Sequence, residues 1–143
     1  MTTHGGQETP EVEEWSWAQQ PGCLPLSRHI FTKWLSKQGV FYLKEEATLL
    51  FSEILTNAIK IPSPDGLTLS RWLLYPNKLR VEVMDWSAEA PWVQDPGPWA
   101  EEGRGILIVH LIANSWGYEH RTFLHPKGEG FVPGKYVWFE LSR

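Results

Sequence analysis

The spacing of apolar residues along the chain predicts three helices. The first is expected to begin at Ser27, its N-cap, and to end at Gly39. The second runs from about Lys44 to Lys60 and carries an apolar stripe on one side. The third starts near Gly105. The stripe of the second helix consists of Ala47, Leu50, Phe51, Ile54, Leu55 and Ala58.

Alternating apolar and polar positions predict four strands. They are Leu67–Tyr75, Leu79–Asp85, Trp116–Thr122 and Lys135–Leu141, with Phe123–Gly134 expected as a turn region. The first two strands are joined across Pro76-Asn77 and read as an antiparallel hairpin. This order of elements predicts an α+β fold. We expect a two-layer sandwich, with the helices packed on one face of a mostly antiparallel sheet.

Composition limits the domain count and the class of partner. Residues 1–22 are polar, acidic and rich in Gly and Pro, which predicts a flexible N-terminal tail before a single domain of residues 23–143. The formal net charge of −4 does not indicate nucleic-acid binding, and no apolar run is long enough to span a membrane. Cys23 is the only cysteine, so an internal disulfide is impossible, and a cytoplasmic location is expected.

Tryptophan is frequent, with nine residues spread over the chain. We expect most of them to serve in core and surface packing. Trp86, Trp92 and Trp99 differ because they fall in the predicted loop Trp86–Glu102. Long loops inside compact domains are usually functional or mobile. Three interpretations stay open for these indoles: contact with a protein partner, folding back as a lid, or ordinary core packing.

Glu53 and Asn57 lie four residues apart on the second predicted helix, so their side chains point the same way. A carboxylate there can act as a general base, and the amide oxygen beside it can ligate Mg2+. The alternative is an ordinary polar flank of an amphipathic helix.

Asp85 falls on the apolar parity of its strand, together with Leu79, Val81 and Val83. A carboxylate on a buried face needs a partner, and the amino group of adenine is a suitable donor. The alternative is that the strand ends at Met84 and Asp85 caps a turn.

Gly103, Arg104 and Gly105 directly precede the third predicted helix. A helix start presents free N–H groups to an anion, glycines allow close approach, and an arginine adds a charged donor. The alternative is a flexible helix entry. Lys135 follows Gly134 at the start of the last strand, where it contacts phosphate or is simply a solvated lysine.

Taken together, these segments resemble the nucleotide-binding boxes of the histidine-kinase-like (GHKL) ATPase superfamily. The helix with Glu53-Ile-Leu-Thr-Asn57-Ala resembles the first box, Met-Asp85-Trp-Ser87 with Pro91 the second, and Gly103-Arg-Gly-Ile-Leu-Ile-Val the third. The likeness is nearest to the small bacterial anti-sigma regulatory serine kinases. It implies a Bergerat-type ATP-binding fold.

The resemblance also implies roles for these residues. Glu53 would be the general base, and Asn57 the ligand of Mg2+ held with ATP. Asp85 and Ser87 would lie at adenine. The phosphates would contact Lys135 and the segment Gly103, Arg104 and Gly105. The chain departs from the family pattern where Ser87 replaces a common glycine, so ATP binding that is weak or lost remains open.

Three functions follow from the likeness. The first is an anti-sigma factor that sequesters a sigma factor and is released by an anti-anti-sigma protein of the STAS type, with ATP and Mg2+ as cofactors. The second is a serine kinase whose main output is phosphorylation of that antagonist. The third is a nucleotide-free pseudo-kinase that acts as a binding module. Homodimers are common in this group, so self-association is a further expectation.

Overall fold

The computed structural model describes residues 9–87, 89, 91 and 105–143. Its elements are, in chain order, β1 (Glu11–Ala18), α1 (Cys23–Lys37), a short 3-10 turn (Phe41–Leu43), α2 (Lys44–Ile59), β2 (Leu67–Leu74), β3 (Lys78–Asp85), α3 (Gly105–Ile112), β4 (Ser115–Leu124) and β5 (Phe131–Ser142).

The five strands form one open antiparallel sheet in the order β1-β2-β3-β5-β4, so β3 lies in the middle. Alternate residues of β3, among them Leu79, Val81 and Val83, are buried in the core that the helices share. We call this the inner face of the sheet and the opposite side the outer face. The predicted α+β class is confirmed, and the arrangement is consistent with two layers.

Aromatic side chains dominate the core between the inner face and the helices. The ring of Phe31 on α1 lies 4.9 Å from the rings of both Phe51 on α2 and Trp72 on β2. Trp17 on β1 is buried beside them, and its indole N–H donates to Ser70 Oγ at 2.8 Å. These tryptophans are packing residues, as expected for most of the nine. Offset and tilted ring pairs of this kind add to the stabilisation from buried area.

The outer face carries a network of charges, and none of the described helices packs on it. Arg80 donates to Glu82 at 2.8 Å and to Glu140 at 3.0 Å, and its guanidinium lies 4.1 Å from the ring centroid of Trp138. Arg71 pairs with Glu82 at 2.8 Å on the neighbouring strand. Cross-strand pairs of opposite charge stabilise the pairing of neighbouring strands.

The prediction of a flexible tail up to residue 22 is corrected by β1. Glu11–Ala18 pairs along its length with β2, from Glu11 opposite Leu74 to Ala18 opposite Leu67. Trp17 is the buried residue that anchors this edge strand, whereas Glu11 and Glu14 are exposed. Acidic residues are typical of edge strands, since they discourage pairing with other chains. The same acidity made this segment look disordered in the sequence.

Two boundaries also differ from the predictions. α1 begins at Cys23, and Ser27 is not its N-cap, because Ser27 Oγ donates back to Leu24 O at 2.8 Å within the helix. β4 and β5 extend into the region expected to be a turn, which is confined to the residues between Leu124 and Phe131. By contrast, α2 and the β2–β3 hairpin lie where they were predicted.

Candidate functional site

Glu53 and Asn57 are half-buried on one flank of α2. The other flank contacts α1, where Arg28 Nη1 donates to Ser52 Oγ at 3.2 Å. At 100° per residue, Glu53 and Asn57 are turned away from that contact. α2 also packs against α3 and β3. The two side chains therefore combine access to solvent with a position beside the helix–sheet core.

Partial burial changes the acidity of Glu53. Desolvation raises the pKa of its carboxyl above the ordinary value of 4.5, and the nearby Lys60 ammonium offsets only part of that shift. A carboxylate with a raised pKa is a better proton acceptor than a solvated one at neutral pH. The structure thus gives Glu53 a property that suits a general base and that an ordinary exposed glutamate lacks.

Asp85 is the last residue of β3 and lies on the inner face, as its parity predicted. The strand does not end at Met84. Asp85 Oδ1 also accepts the backbone N–H of Ser87 at 2.8 Å, so the carboxylate caps the turn that follows the strand. The two interpretations offered for Asp85 are therefore compatible: it is a buried inner-face carboxylate and a turn cap.

Lys135 is the partner of this carboxylate. It stands directly opposite Asp85 in the β3–β5 register and is only 3% exposed. Its Nζ lies 3.4 Å from Asp85 Oδ1 and donates to Ser87 O at 3.0 Å. The interpretation of Lys135 as a solvated lysine at a strand start is wrong, since its ammonium is enclosed with Asp85 and the Ser87 backbone.

The third group of predicted site residues falls mostly outside the described part of the chain. α3 begins at Gly105, as predicted. Gly103 and Arg104 lie outside the described residues, as do Trp92 and Trp99 of the loop. Trp86 is described, and its ring packs 5.4 Å from that of Phe123, on the outer face. Trp86 is therefore a packing residue on one side of the sheet, while Asp85 faces the other.

The Asp85–Lys135 pair is the feature of the site that the sequence did not reveal. The signal was present in the parity of β5, because Lys135 shares a face with Val137, Phe139 and Leu141. A charged residue on each of two neighbouring apolar faces is a reason to test them as a pair.

A concave feature lies on the flank of α2 that contacts α1. A groove of about 340 Å³ is lined by Arg28, Lys44, Glu45, Thr48, Leu49 and Ser52. None of the predicted site residues lines it. Among the described residues, no group of three or more His, Cys, Asp or Glu side chains is arranged to hold a metal ion.

Comparison with known proteins adds no assignment. No protein-family model matches the chain, and no curated protein matches it. Within the described part of the chain, no helix is both long enough and apolar enough to cross a membrane.

Proposed function

We propose that this protein is an anti-sigma factor of the partner-switching type, with ATP and Mg2+ as the ligands of its switch. One observation carries the proposal beyond the sequence resemblance. α2 bears Glu53 and Asn57 and packs against β3, whose inner-face end is Asp85, and against α3, which begins at Gly105. These contacts between elements support the proposal, because they bring the helix of the first predicted box against the strand of the second and the helix that follows the third.

The donor groups at this site match Mg-ATP in part. Glu53 and Asn57 offer the oxygen atoms that Mg2+ and its water shell prefer, and their half-burial leaves them accessible. Asp85 offers a buried carboxylate, which suits a donor such as the amino group of adenine. The match is incomplete because Asp85 Oδ1 already accepts the Ser87 N–H and lies 3.4 Å from the Lys135 ammonium.

The roles of the chain's own residues follow from these positions. Bound ATP would supply a Mg2+-held polyphosphate with a transferable phosphoryl group. Asn57 would orient the metal through its amide oxygen, and Glu53 would accept a proton from a serine hydroxyl of the antagonist. Phosphorylation of that serine adds about 1.5–2 negative charges at the interface, which would weaken the complex.

The test is direct capture of partners in solution. The purified chain is mixed in turn with each sigma factor of its host, and complexes are measured by size-exclusion chromatography with light scattering. We expect one sigma factor to bind and a STAS-type antagonist to displace it. If every sigma factor elutes free while the chain remains folded, the anti-sigma proposal is wrong.

A second candidate is a serine kinase whose main output is phosphorylation, and the raised pKa of Glu53 favours it. Glu53→Gln should abolish phosphoryl transfer to the antagonist, because removal of a general base typically lowers a rate by about 10²–10⁴. Glu46→Gln is the matched control, since Glu46 is an exposed glutamate two turns earlier on the same flank of α2. Wild-type transfer by Glu53→Gln would exclude this role.

A further inference from the structure

The enclosed ammonium of Lys135 contacts two oxygen atoms at different distances. Its shorter contact, 3.0 Å, is to the carbonyl oxygen of Ser87, whereas Asp85 Oδ1 lies 3.4 Å away. Charge-assisted N–H···O bonds are usually about 2.7–2.9 Å long. The lysine is thus held firmly by a backbone carbonyl and more loosely by the carboxylate. It can release Asp85 without losing its last hydrogen bond.

The same carboxylate is the group that the proposed function assigns to adenine. A buried carboxylate attracts a cation more strongly than a neutral amino group, because the surroundings screen the charge poorly. At 3% exposure, the Lys135 ammonium is shielded from competing water. A neutral donor that approaches Asp85 must therefore compete with a positive charge that the protein already supplies.

We propose that Lys135 is an internal competitor for the adenine subsite. Its ammonium, 3.4 Å from Asp85 Oδ1, competes with the purine amino group for the carboxylate and lowers the nucleotide affinity of the site. Nucleotide enters when the ammonium turns fully to the carbonyl of Ser87 and leaves the carboxylate to the purine amino group. Lys135 is in this sense a specificity-determining residue, and the inference rests on the proposed role of Asp85.

The test compares nucleotide binding by variants of the intact chain. Lys135→Met keeps the length and apolar stem of the side chain but removes the charge. Isothermal titration with Mg-ATP should show binding tighter than that of the wild type by on the order of tenfold to a hundredfold, the range expected for a hydrogen bond to a charged group. Equal or weaker binding by the folded variant overturns the proposal.

Two comparisons identify the source of any gain. GTP carries a carbonyl where ATP carries the amino group, so the gain should appear with ATP and not with GTP. The double variant Asp85→Asn with Lys135→Met should lose the gain, because the carboxylate is absent. A gain shared by GTP, or retained in the double variant, would show that Lys135 acts by bulk or overall charge and would also overturn the proposal.

Lys78→Met is the matched control, since Lys78 lies at the opposite end of β3 and pairs with Glu140 at 3.0 Å on the outer face. Its ATP affinity should equal that of the wild type. If Lys135→Met does not fold, Lys135→Gln carries the same comparison with a neutral donor. It should show a smaller gain with the same preference for ATP, and no gain overturns the proposal.

Failure of this inference is distinct from failure of the proposed function. Capture of a sigma factor by the wild type tests the function and does not involve Lys135 variants. Capture without any gain from Lys135→Met removes the competitor role and leaves the anti-sigma function. A gain without capture retains the competitor role and removes the anti-sigma function.

Discussion

The two faces of the sheet differ in how their charged side chains are paired. The outer face holds a network in which Arg80 contacts Glu82 and Glu140, and each of these glutamates has a further cationic partner. On the inner face, Asp85 and Lys135 form a single pair at the edge of an apolar core. The outer charges share several partners of opposite charge. Within the described residues, Asp85 and Lys135 have one such partner each, and both also hydrogen-bond to the backbone of Ser87.

This difference distinguishes charged side chains that stabilise the sheet from a charged pair that needs a functional explanation. On the outer face, Arg80, Glu82 and Glu140 are also largely buried, but each has at least two partners of opposite charge. A buried pair must offset a large loss of hydration, and apolar replacements of similar volume are often at least as stable. The outer network is thus explained by its shared pairing across strands, while the inner pair marks the site whose chemistry should be tested first.

The largest expected difference in stability comes from replacing the lysine of one ion pair on each face. Lys135→Met leaves Asp85 buried without its cation and should lower the free energy of unfolding by about 3–5 kcal/mol. Lys78→Met removes a partly exposed pair with Glu140 and should lower it by at most about 1 kcal/mol. Urea denaturation of both variants measures the contrast. Equal losses would mean that the two faces do not differ as described.

The backbone near the inner pair is the next test. A Cβ on Gly134 would lie 2.7 Å from a ring carbon of Phe123 and 2.8 Å from the carbonyl oxygen of Asp85. Gly134→Ala should therefore force β3 and β5 apart beside the pair and lower stability by about 1–3 kcal/mol. Gly22→Ala is the control, because φ there is −62° and no atom lies within 4 Å of the added carbon. If Gly134→Ala is as stable as the wild type, β3 and β5 can separate here without a measurable cost.

The outer network can be weakened by acid. Burial alone would raise the pKa of Glu140, but hydrogen bonds from Arg80, Lys78 and Ser115 outweigh it and hold the pKa below the ordinary 4.5. A depressed carboxyl pKa stabilises the fold above pH 4.5, and that contribution is lost as pH falls through the folded-state pKa.

Glu140→Gln tests this effect. The variant should be less stable than the wild type by about 1 kcal/mol at pH 7. The difference should shrink as the wild-type carboxyl becomes protonated. Urea denaturation from pH 7 to pH 3 follows it, and a difference that stays constant over that range would contradict the assignment.

The sequence predicted those parts of the fold that depend on local pattern. α2 was confirmed because its apolar stripe recurs at helical spacing from Ala47 to Ala58, and the β2–β3 hairpin because Pro76-Asn77 separates two alternating runs. β1 was missed because its acidic residues make sense only beside β2, a partner about fifty residues away. Tertiary pairing, rather than local propensity, makes that segment a strand.

The candidate site divides in the same way. The positions of Glu53 and Asn57 on one helix flank, and of Asp85 on an inner face, follow from periods of 3.6 and 2 residues. The pairing of Asp85 with Lys135 depends on the register between β3 and β5, which neither strand specifies alone. Gly134 was similarly misread as part of a turn, since its role is to admit the ring of Phe123.

The smallest expected effect concerns Glu53, a half-buried charge on the helix layer. Because burial raises its pKa, the folded protein binds a proton at Glu53 more readily than the unfolded chain does, so this carboxyl favours folding at low pH. That contribution is lost as pH rises through the folded-state pKa, and the ionised carboxylate destabilises the folded protein at neutral pH. Glu53→Gln should therefore be slightly more stable than the wild type at pH 7, by less than about 1 kcal/mol.

The advantage of Glu53→Gln should shrink as pH falls toward 4.5, the ordinary value for this carboxyl, where the wild type regains its proton. Thermal unfolding across this range measures it, with Glu46→Gln, an exposed glutamate on the same flank of α2, as the matched control. A loss of stability in Glu53→Gln at pH 7 would mean that attraction to Lys60 outweighs desolvation. A gain together with lost phosphoryl transfer would identify Glu53 as a charge kept for activity at the expense of stability.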